Sequence, residues 1–167
     1  FNVLEKTGVS KVDVNGKVYF KGREEHFDKI INITGPWASK LLKDSNIKSD
    51  YELDLVRGSH IVINRKLKQG YFLEVPNERR IFFVLPYKSQ TLIGTTEVRQ
   101  KISSQIKPSQ IEIKYLINAY NYYFLKKISK KEIVHSFAGV RPLLKSSKDP
   151  NKAKREYTIQ SNKNLLT

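Results

Sequence analysis

Residues 59–98 read SHIVINRKLKQGYFLEVPNERRIFFVLPYKSQTLIGTTEV, and this stretch decides the fold. Its apolar and β-branched residues are concentrated in four runs, at 59–64, 71–75, 80–86 and 91–98. The segments between these runs are short and rich in turn-forming residues, as in Pro76-Asn77-Glu78. Consecutive strands joined by such short links predict an antiparallel meander.

A helix and further strands are predicted after the meander. Apolar residues recur at every third or fourth position between 113 and 124, which predicts a helix with one apolar stripe from near Lys107 to near Lys127. The run at 132–138 predicts another strand, which leads into Arg141 at its end. Two short strands are predicted at 157–160 and 165–167.

The N-terminal part of the chain has a different pattern. Asn15-Gly16 lies between two alternating runs and predicts a β-hairpin. The mostly apolar run at 29–33 predicts a buried strand, as in a parallel sheet, followed by a short helix from Pro36 to about Lys43. Strands and helices segregated in this way predict an α+β fold. The polar stretch at 44–52 separates two predicted domains, residues 1–50 and residues 51–167.

The composition excludes several classes of site. The 167 residues include no cysteine, which excludes disulfides, thiolate metal ligands and a cysteine nucleophile. No apolar run approaches the ~18 residues that a membrane-spanning helix needs. The three histidines, at 26, 60 and 135, lack the spacing of a metal site. Because the sequence contains no methionine and begins at Phe1 without a leader, we expect an internal fragment of a longer protein.

The charge is strongly positive but dispersed. With 31 basic and 16 acidic residues, the net charge of +15 raises the question of an anionic partner. The lysines are scattered along the chain, however, and no basic run reaches five residues. This distribution favours a solvated surface over a phosphate-binding stripe, and we expect no nucleic-acid partner.

Three short segments carry residues that are suited to chemistry. His60 has an ordinary pKa near neutrality and is a candidate for proton transfer, although the local sequence alone favours a hydrogen-bonded structural histidine. Thr95 and Thr96 follow a glycine that permits close approach of a ligand, but threonine is also an ordinary strand residue. Arg141 and Arg155 are suited to converge on a phosphate, or are surface charges.

Five strings of the sequence, taken together in their order and spacing, resemble the FAD-dependent glycerol-3-phosphate dehydrogenases, a family with the D-amino-acid-oxidase fold. The resemblance covers about residues 28–167, and Ile33 and Glu97 stand where the family commonly has alanine and aspartate. The strings are INITGPWA at 31–38, RGSHIV at 57–62, LIGTTE at 92–97, HSFAGVRPL at 135–143 and REYT at 155–158.

For the cofactor, the resemblance implies that the intact protein binds FAD. Residues 1–50 would be the C-terminal part of its FAD-binding segment, with Thr34 and Gly35 passing close to the cofactor. The sequence contains neither the glycine fingerprint for the FAD pyrophosphate nor the Gly-Gly-Lys string that the family carries just after the equivalent of Thr167. We therefore expect the isolated chain to be inactive.

For the substrate, the resemblance implies that residues 51–167 form an antiparallel-sheet cap domain with flanking helices. Arg141 would lie at the substrate near the reactive edge of the flavin, and Arg155 would help to bind the substrate phosphate. His60 would lie close to the active site as a candidate acid or base. The hydroxyls at 95 and 96 would line the wall of the site.

The implied reaction is the oxidation of sn-glycerol 3-phosphate to dihydroxyacetone phosphate. C2 of the substrate loses a hydride to the flavin, and its hydroxyl loses a proton to a nearby base. Electrons would then pass to a quinone, which implies a cytoplasmic protein that is peripherally associated with the inner membrane. The resemblance is also compatible with a homodimer, and the histidine spacing leads us to expect no metal.

Three alternatives stay open. A glycerol-3-phosphate oxidase of the same family would pass electrons to oxygen, although such enzymes tend to carry a cap insertion that this sequence lacks. Another amine- or hydroxy-acid-oxidising flavoenzyme of the same fold would use Arg141 for a carboxylate and would need no second arginine. A basic domain that binds nucleic acid or a membrane surface is the remote alternative, and the scattered lysines weigh against it.

Overall fold

The computed structural model describes residues 2–102, 105–145 and 157–167, and these form two compact units. The first unit comprises residues 2–54, 142–145 and 157–167, and the second comprises residues 55–102 and 105–141. This division differs from the predicted domains at the C-terminal end of the chain, because the last described segment returns to the first unit.

The first unit has two small sheets and one short helix among its described residues. The hairpin predicted at Asn15-Gly16 is confirmed as the turn of an antiparallel sheet with the strand order β1 (Val9–Val12), β2 (Lys17–Phe20) and β3 (Arg23–His26). The predicted short helix is also confirmed, as a 3-10 turn at Gly35–Trp37 that continues into α1 (Ala38–Asp44). Leu41 and Leu42 of α1 pack with Val12 and Leu165 in the core of this unit.

The second small sheet corrects two predictions about strands. β4 (Ile30–Ile31) pairs in parallel with its partner strand, as expected. The predicted run at 29–33 is not buried, however, since Ile31 in the strand is 62% exposed and Ile33, beyond the end of the strand, is 85% exposed. Among the described residues β4 has one partner strand and lies at the edge of its sheet, so its alternate side chains point away from the core. No strand forms at 157–160, where only Gln160 exchanges main-chain hydrogen bonds with Thr167, both at 2.9 Å. The strand order is β11 (Ser161–Asn162), β12 (Leu165–Leu166) and β4.

The second unit is built on a larger, mostly antiparallel sheet. Its strand order is β10 (Ile133–Leu144), β5 (Leu53–Ile63), β8 (Gln90–Gly94), β7 (Ile81–Tyr87) and β6 (Tyr71–Glu74), and β9 (Val98–Arg99) also pairs with β5. The predicted meander is confirmed for three consecutive strands, but β5 pairs with β8 instead of with β6. β5 is buried almost continuously from Val56 to Ile63, which suits a central strand with neighbours on both edges.

One face of this sheet is covered by α2 (Gln110–Tyr123), whose predicted apolar stripe is confirmed. Leu116 and Tyr120 of the helix pack on Ile61, Phe82 and Ile93 of the sheet, and each such buried side chain contributes about 1.5–3 kcal/mol. The helix begins three residues later than predicted, because the side chain of the residue at 109 caps its N-terminus. Since side chains alternate along a strand, β5 presents every second residue to the face opposite α2.

Candidate active site

The guanidinium of Arg141 rests against the backbone of strand β5. A Cβ atom added to Gly58 would lie 2.5 Å from Arg141 Nη1 and 2.5 Å from Thr95 Oγ1, so glycine leaves the space that this arrangement needs. Arg141 Nη2 donates a hydrogen bond to Thr95 Oγ1 at 3.0 Å. The arrangement places a half-buried cation on the sheet face opposite α2, within strand β10 and three residues before its end.

His60 lies on the same face of β5 as Gly58. Its ring stacks on Phe137 with the ring centroids 5.0 Å apart and the planes 10° apart. Burial, and then the positive charge of Arg141, lower the pKa of the His60 imidazole below its ordinary 6.5. Nδ1 is buried and accepts no hydrogen bond from the described part of the chain. The ring is therefore neutral at physiological pH and can accept a proton.

Gly94 makes room for the imidazole. It faces His60 across the β5–β8 pair, and a Cβ atom added to it would lie 2.8 Å from both Cγ and Nε2 of the ring. The sequence linked this glycine to the close approach of a ligand. In the structure it admits a side chain of the candidate site.

Thr96 points to a different environment from Thr95. Its hydroxyl donates to Glu112 Oε1 at 2.7 Å and accepts the main-chain N–H of Ser59 at 2.9 Å. The Ser59 hydroxyl also donates to Glu112 Oε1, at 2.7 Å. Arg57 completes the cluster by donating to both carboxylate oxygens, at 2.7 and 3.3 Å. The structure therefore brings Thr95 to Arg141, but it places Thr96 in a buried carboxylate cluster.

The carboxylate at the centre of this cluster is ionised despite its burial. Glu112 is 4% exposed, and burial alone would raise the pKa of its carboxyl. Hydrogen bonds from the Ser109 backbone, the two hydroxyls of the cluster and Arg57 outweigh burial and lower this pKa to about 2. Sequence reasoning missed Glu112, although Ser109 followed by glutamate three residues later is the pattern of a capping box.

Arg80 contacts the Thr95-Thr96 segment on the main-chain side. Its Nη2 donates to the carbonyl oxygen of Thr95 at 2.6 Å, and its Nη1 donates to the hydroxyl of Tyr115 at 3.2 Å. That hydroxyl donates in turn to Glu78 Oε2 at 2.7 Å. Arg80 was also missed, because nothing in its local sequence separates it from a surface arginine.

The residues predicted near the cofactor lie in the first unit. Gly35 has a φ of +59°, which favours glycine, and among the described residues no atom beyond its two chain neighbours lies within 4 Å of the position of an added Cβ. It lines a cavity of about 330 Å³ within this unit, together with apolar side chains such as Leu42 and Leu144. The hydroxyl of Thr34 donates to Asn32 Oδ1 at 2.7 Å. An open backbone beside a mostly apolar cavity fits a segment that a flavin cofactor approaches closely.

The remaining predictions concern residues or sites that the structure does not bring to this site. Arg155 lies outside the described residues. Within residues 2–102, 105–145 and 157–167, no three His, Asp or Glu side chains form a group that could hold a metal ion. In the same ranges, no helix is both long enough and apolar enough to cross a membrane.

Comparisons with known proteins agree on one family. Residues 2–156 match the family described as DAO, FAD dependent oxidoreductase. The aerobic glycerol-3-phosphate dehydrogenase of Escherichia coli (strain K12) is 39% identical over 136 residues, which are 78% of this chain and 27% of that protein. The D-erythritol 1-phosphate dehydrogenase of Brucella abortus (strain 2308) is 34% identical over 135 residues, again 78% and 27%.

A solved structure supports the same assignment at the level of the fold. The X-ray structure of the glycerol-3-phosphate dehydrogenase from Bacillus halodurans, complexed with FAD, superposes with a TM-score of 0.82 at 23% identity. The superposition covers 98% of this chain and 34% of that one, so the chain spans between a quarter and about a third of the length of these three proteins. The predicted α+β fold class and the predicted family are confirmed, and the chain belongs to the DAO family of FAD-dependent oxidoreductases.

Proposed function

We propose that this chain is part of a longer FAD-dependent enzyme that oxidises sn-glycerol 3-phosphate to dihydroxyacetone phosphate. Two relatives named for the oxidation of a polyol phosphate support this substrate class. The chain corresponds to about a quarter of either protein. We therefore infer that it has no turnover by itself.

The observation that carries the proposal is the position of Arg141. Its guanidinium is fixed against Gly58 and Thr95, half-buried, on the sheet face that α2 leaves uncovered. A guanidinium fixed in this way can bind two oxygens of one substrate, and partial burial strengthens the attraction to an anion. Arg141 would hold the substrate beside the reacting carbon, while Arg155 would contribute to binding of the phosphate.

His60 is the proposed acceptor of the C2 hydroxyl proton. It is neutral because burial and the nearby charge of Arg141 lower the pKa of its imidazole. The stack on Phe137 and the close fit against Gly94 fix the plane of the ring, which reduces the cost of aligning it with a substrate hydroxyl. Arg141 would also stabilise negative charge that develops on the substrate oxygen as the proton leaves.

The residues at 34 and 35 are the proposed contacts to the cofactor. Gly35 offers a partly exposed backbone with open space where a side chain would stand, and Thr34 offers a hydroxyl next to it. When it is bound, the flavin supplies the hydride acceptor of the reaction.

We propose a quinone as the electron acceptor and peripheral attachment to the inner face of the membrane. Support comes from an ordered basic loop at the end of α2, which displays Leu125, 98% exposed, beside four exposed lysines at 126, 127, 130 and 131. Arg65 fixes the loop by donating to the carbonyl oxygens of residues 126 and 127, at 2.6 and 2.7 Å. An apolar side chain among lysines suits the surface of an anionic bilayer.

The test uses the full-length enzyme, purified without added cofactor and kept anaerobic. We expect a flavin absorption band near ~450 nm that bleaches when glycerol 3-phosphate is added. A band that bleaches only with an amine or a hydroxy acid would refute the substrate, and the absence of bound flavin would refute the cofactor. Rapid reoxidation of the reduced flavin by oxygen would favour the oxidase over the quinone-linked enzyme.

A further inference from the structure

We propose that Glu112 and Arg80 are positioning residues, which hold the Thr95-Thr96 segment from two directions and thereby fix the Arg141 guanidinium in place. The inference rests on the proposed function, because Arg141 is the residue that the enzyme would present to the substrate. Neither residue was singled out by its sequence context, and each acts through atoms of the segment that follows β8.

Glu112 ties strand β5 to the segment after β8, and Gly58 and Thr95 of these two elements are the residues against which the guanidinium rests. The hydroxyl of Thr96 and the hydroxyl of Ser59 both donate to the same carboxylate oxygen, Oε1, at 2.7 Å. Ser59 directly follows Gly58, and Thr96 directly follows Thr95. One buried oxygen therefore sets the spacing of the two residues against which Arg141 rests.

Arg57 and the helix N-terminus keep this oxygen in place. Arg57 pairs with the carboxylate at 2.7 Å, and its Nη1 donates to Gln100 at 2.6 Å. The main-chain N–H and the hydroxyl of Ser109 donate to the second carboxylate oxygen, at 2.9 and 2.7 Å. A carboxylate with this many donors has a single stable orientation, which is the property that a positioning group needs.

Arg80 acts on the neighbouring peptide group. Its hydrogen bond to the carbonyl oxygen of Thr95 is short, at 2.6 Å, and its guanidinium also lies over the ring of Tyr115, 5.6 Å from the centroid. Tyr115 is itself tied to Glu78, so the arginine cannot swing away without breaking a second contact. The peptide at 95 is thus fixed through its carbonyl, while the hydroxyl of the same residue meets Arg141.

The same unit contains a matched pair of residues that does not reach this segment. Glu132 is also the third residue of a capping box, with Ser129, and it pairs with Arg65 at 3.2 Å. Arg65 also donates to main-chain carbonyl oxygens, at residues 126 and 127. Glu132 and Arg65 therefore resemble Glu112 and Arg80 in chemistry and differ in what they hold.

The experiment compares four variants of the full-length FAD-loaded enzyme: Glu112→Gln, Arg80→Met, Glu132→Gln and Arg65→Met. Each is measured for Tm, for KM and kcat with glycerol 3-phosphate and a soluble dye acceptor, and for the pKa of His60 by NMR. A displacement of the guanidinium by ~1 Å lowers kcat/KM by up to about a hundredfold. We expect a loss of at least about tenfold in the first two variants and less than about twofold in the two controls.

The outcomes are distinct. Equal losses of kcat/KM in all four variants, or a lower Tm with unchanged kcat/KM in the first two, would overturn the proposal. If Glu112→Gln does not fold, Arg80→Met decides alone. If the wild type does not oxidise glycerol 3-phosphate, the proposed function fails, but the His60 pKa still tests positioning. In that case we expect the pKa of His60 to rise in Glu112→Gln and in Arg80→Met, because Arg141 moves away from the imidazole. An unchanged pKa refutes the inference.

Discussion

Substitution of Gly58 by alanine tests the position of the Arg141 guanidinium directly. The added Cβ would lie 2.5 Å from Arg141 Nη1 and from Thr95 Oγ1, whereas ordinary contacts begin near 3.4 Å. The guanidinium must therefore move by about 1 Å, which is enough to lower kcat/KM by about a hundredfold. Because both the guanidinium and the Thr95 hydroxyl must give way, we expect the free energy of unfolding to fall by about 1–3 kcal/mol, the usual cost of overpacking.

Steady-state kinetics and thermal unfolding of full-length Gly58→Ala would test this expectation. Gly70→Ala is the control, because its added Cβ would meet only the flexible end of Leu85, at 2.9 Å, in the same unit. We expect the control to retain kcat/KM within about twofold. If Gly58→Ala kept the kcat/KM of the wild type, the seat of Arg141 would have no part in catalysis. A loss of more than about 3 kcal/mol would show that the strand, and not the guanidinium, had absorbed the clash.

Three further predictions follow from charge and burial. Glu112 contributes about 3 kcal/mol to the free energy of unfolding above pH ~5, because the pKa of its carboxyl is about 2 in the folded protein and 4.5 ordinarily. This contribution is lost as the pH falls toward 2. In Glu112→Gln, the stability measured by circular dichroism should therefore depend less steeply on pH in this acid range. The acid limb of the pH profile of kcat/KM should report a His60 pKa below 6.5. Arg141→Met should move this limb to higher pH, because it removes the positive charge that lowers the pKa of His60. If the limb did not move, the titrating group would not be His60. The double variant Lys126→Glu/Lys127→Glu reverses the charge of two exposed lysines. Its affinity for anionic vesicles, measured by sedimentation, should fall by tenfold or more, because each lysine near the surface contributes about 1 kcal/mol. An affinity equal to that of the wild type would exclude the basic loop as the membrane contact.

Local sequence patterns predicted the individual strands and helices better than they predicted which strands pair with each other. The hairpin at Asn15-Gly16, the apolar stripe of α2 and the three-stranded meander depend on residues that are close in sequence, and all three are confirmed. The pairing of β5 with β8 depends on which distant strand completes the core. The exposure of Ile31 likewise depends on the pairing of β4, which has one partner strand among the described residues and which a run of apolar residues does not specify.

The candidate site divides in a similar way. Arg141 and His60 were predicted because they lie in strings with a recognisable order, and the structure brings both to one face of the sheet. Glu112 and Arg80 were missed because their importance arises from contacts with Thr96 and Thr95, which are distant in sequence. The burial of a glutamate beside an arginine becomes visible only when α2 is docked on the sheet.

Strand β5 links these two groups of residues through its alternation. Arg57 and Ser59 point toward α2 and the buried carboxylate, whereas Gly58 and His60 point toward the candidate site. A shift of the β5 register by one residue would exchange the two faces, so that His60 would point toward α2 and Arg57 would point toward the candidate site. The contacts to Glu112 oppose such a shift because each has a fixed partner at 2.7 Å. Fold stability and the placement of Arg141 therefore depend on the same four consecutive residues, and the positioning variants above must be judged by kcat/KM relative to Tm.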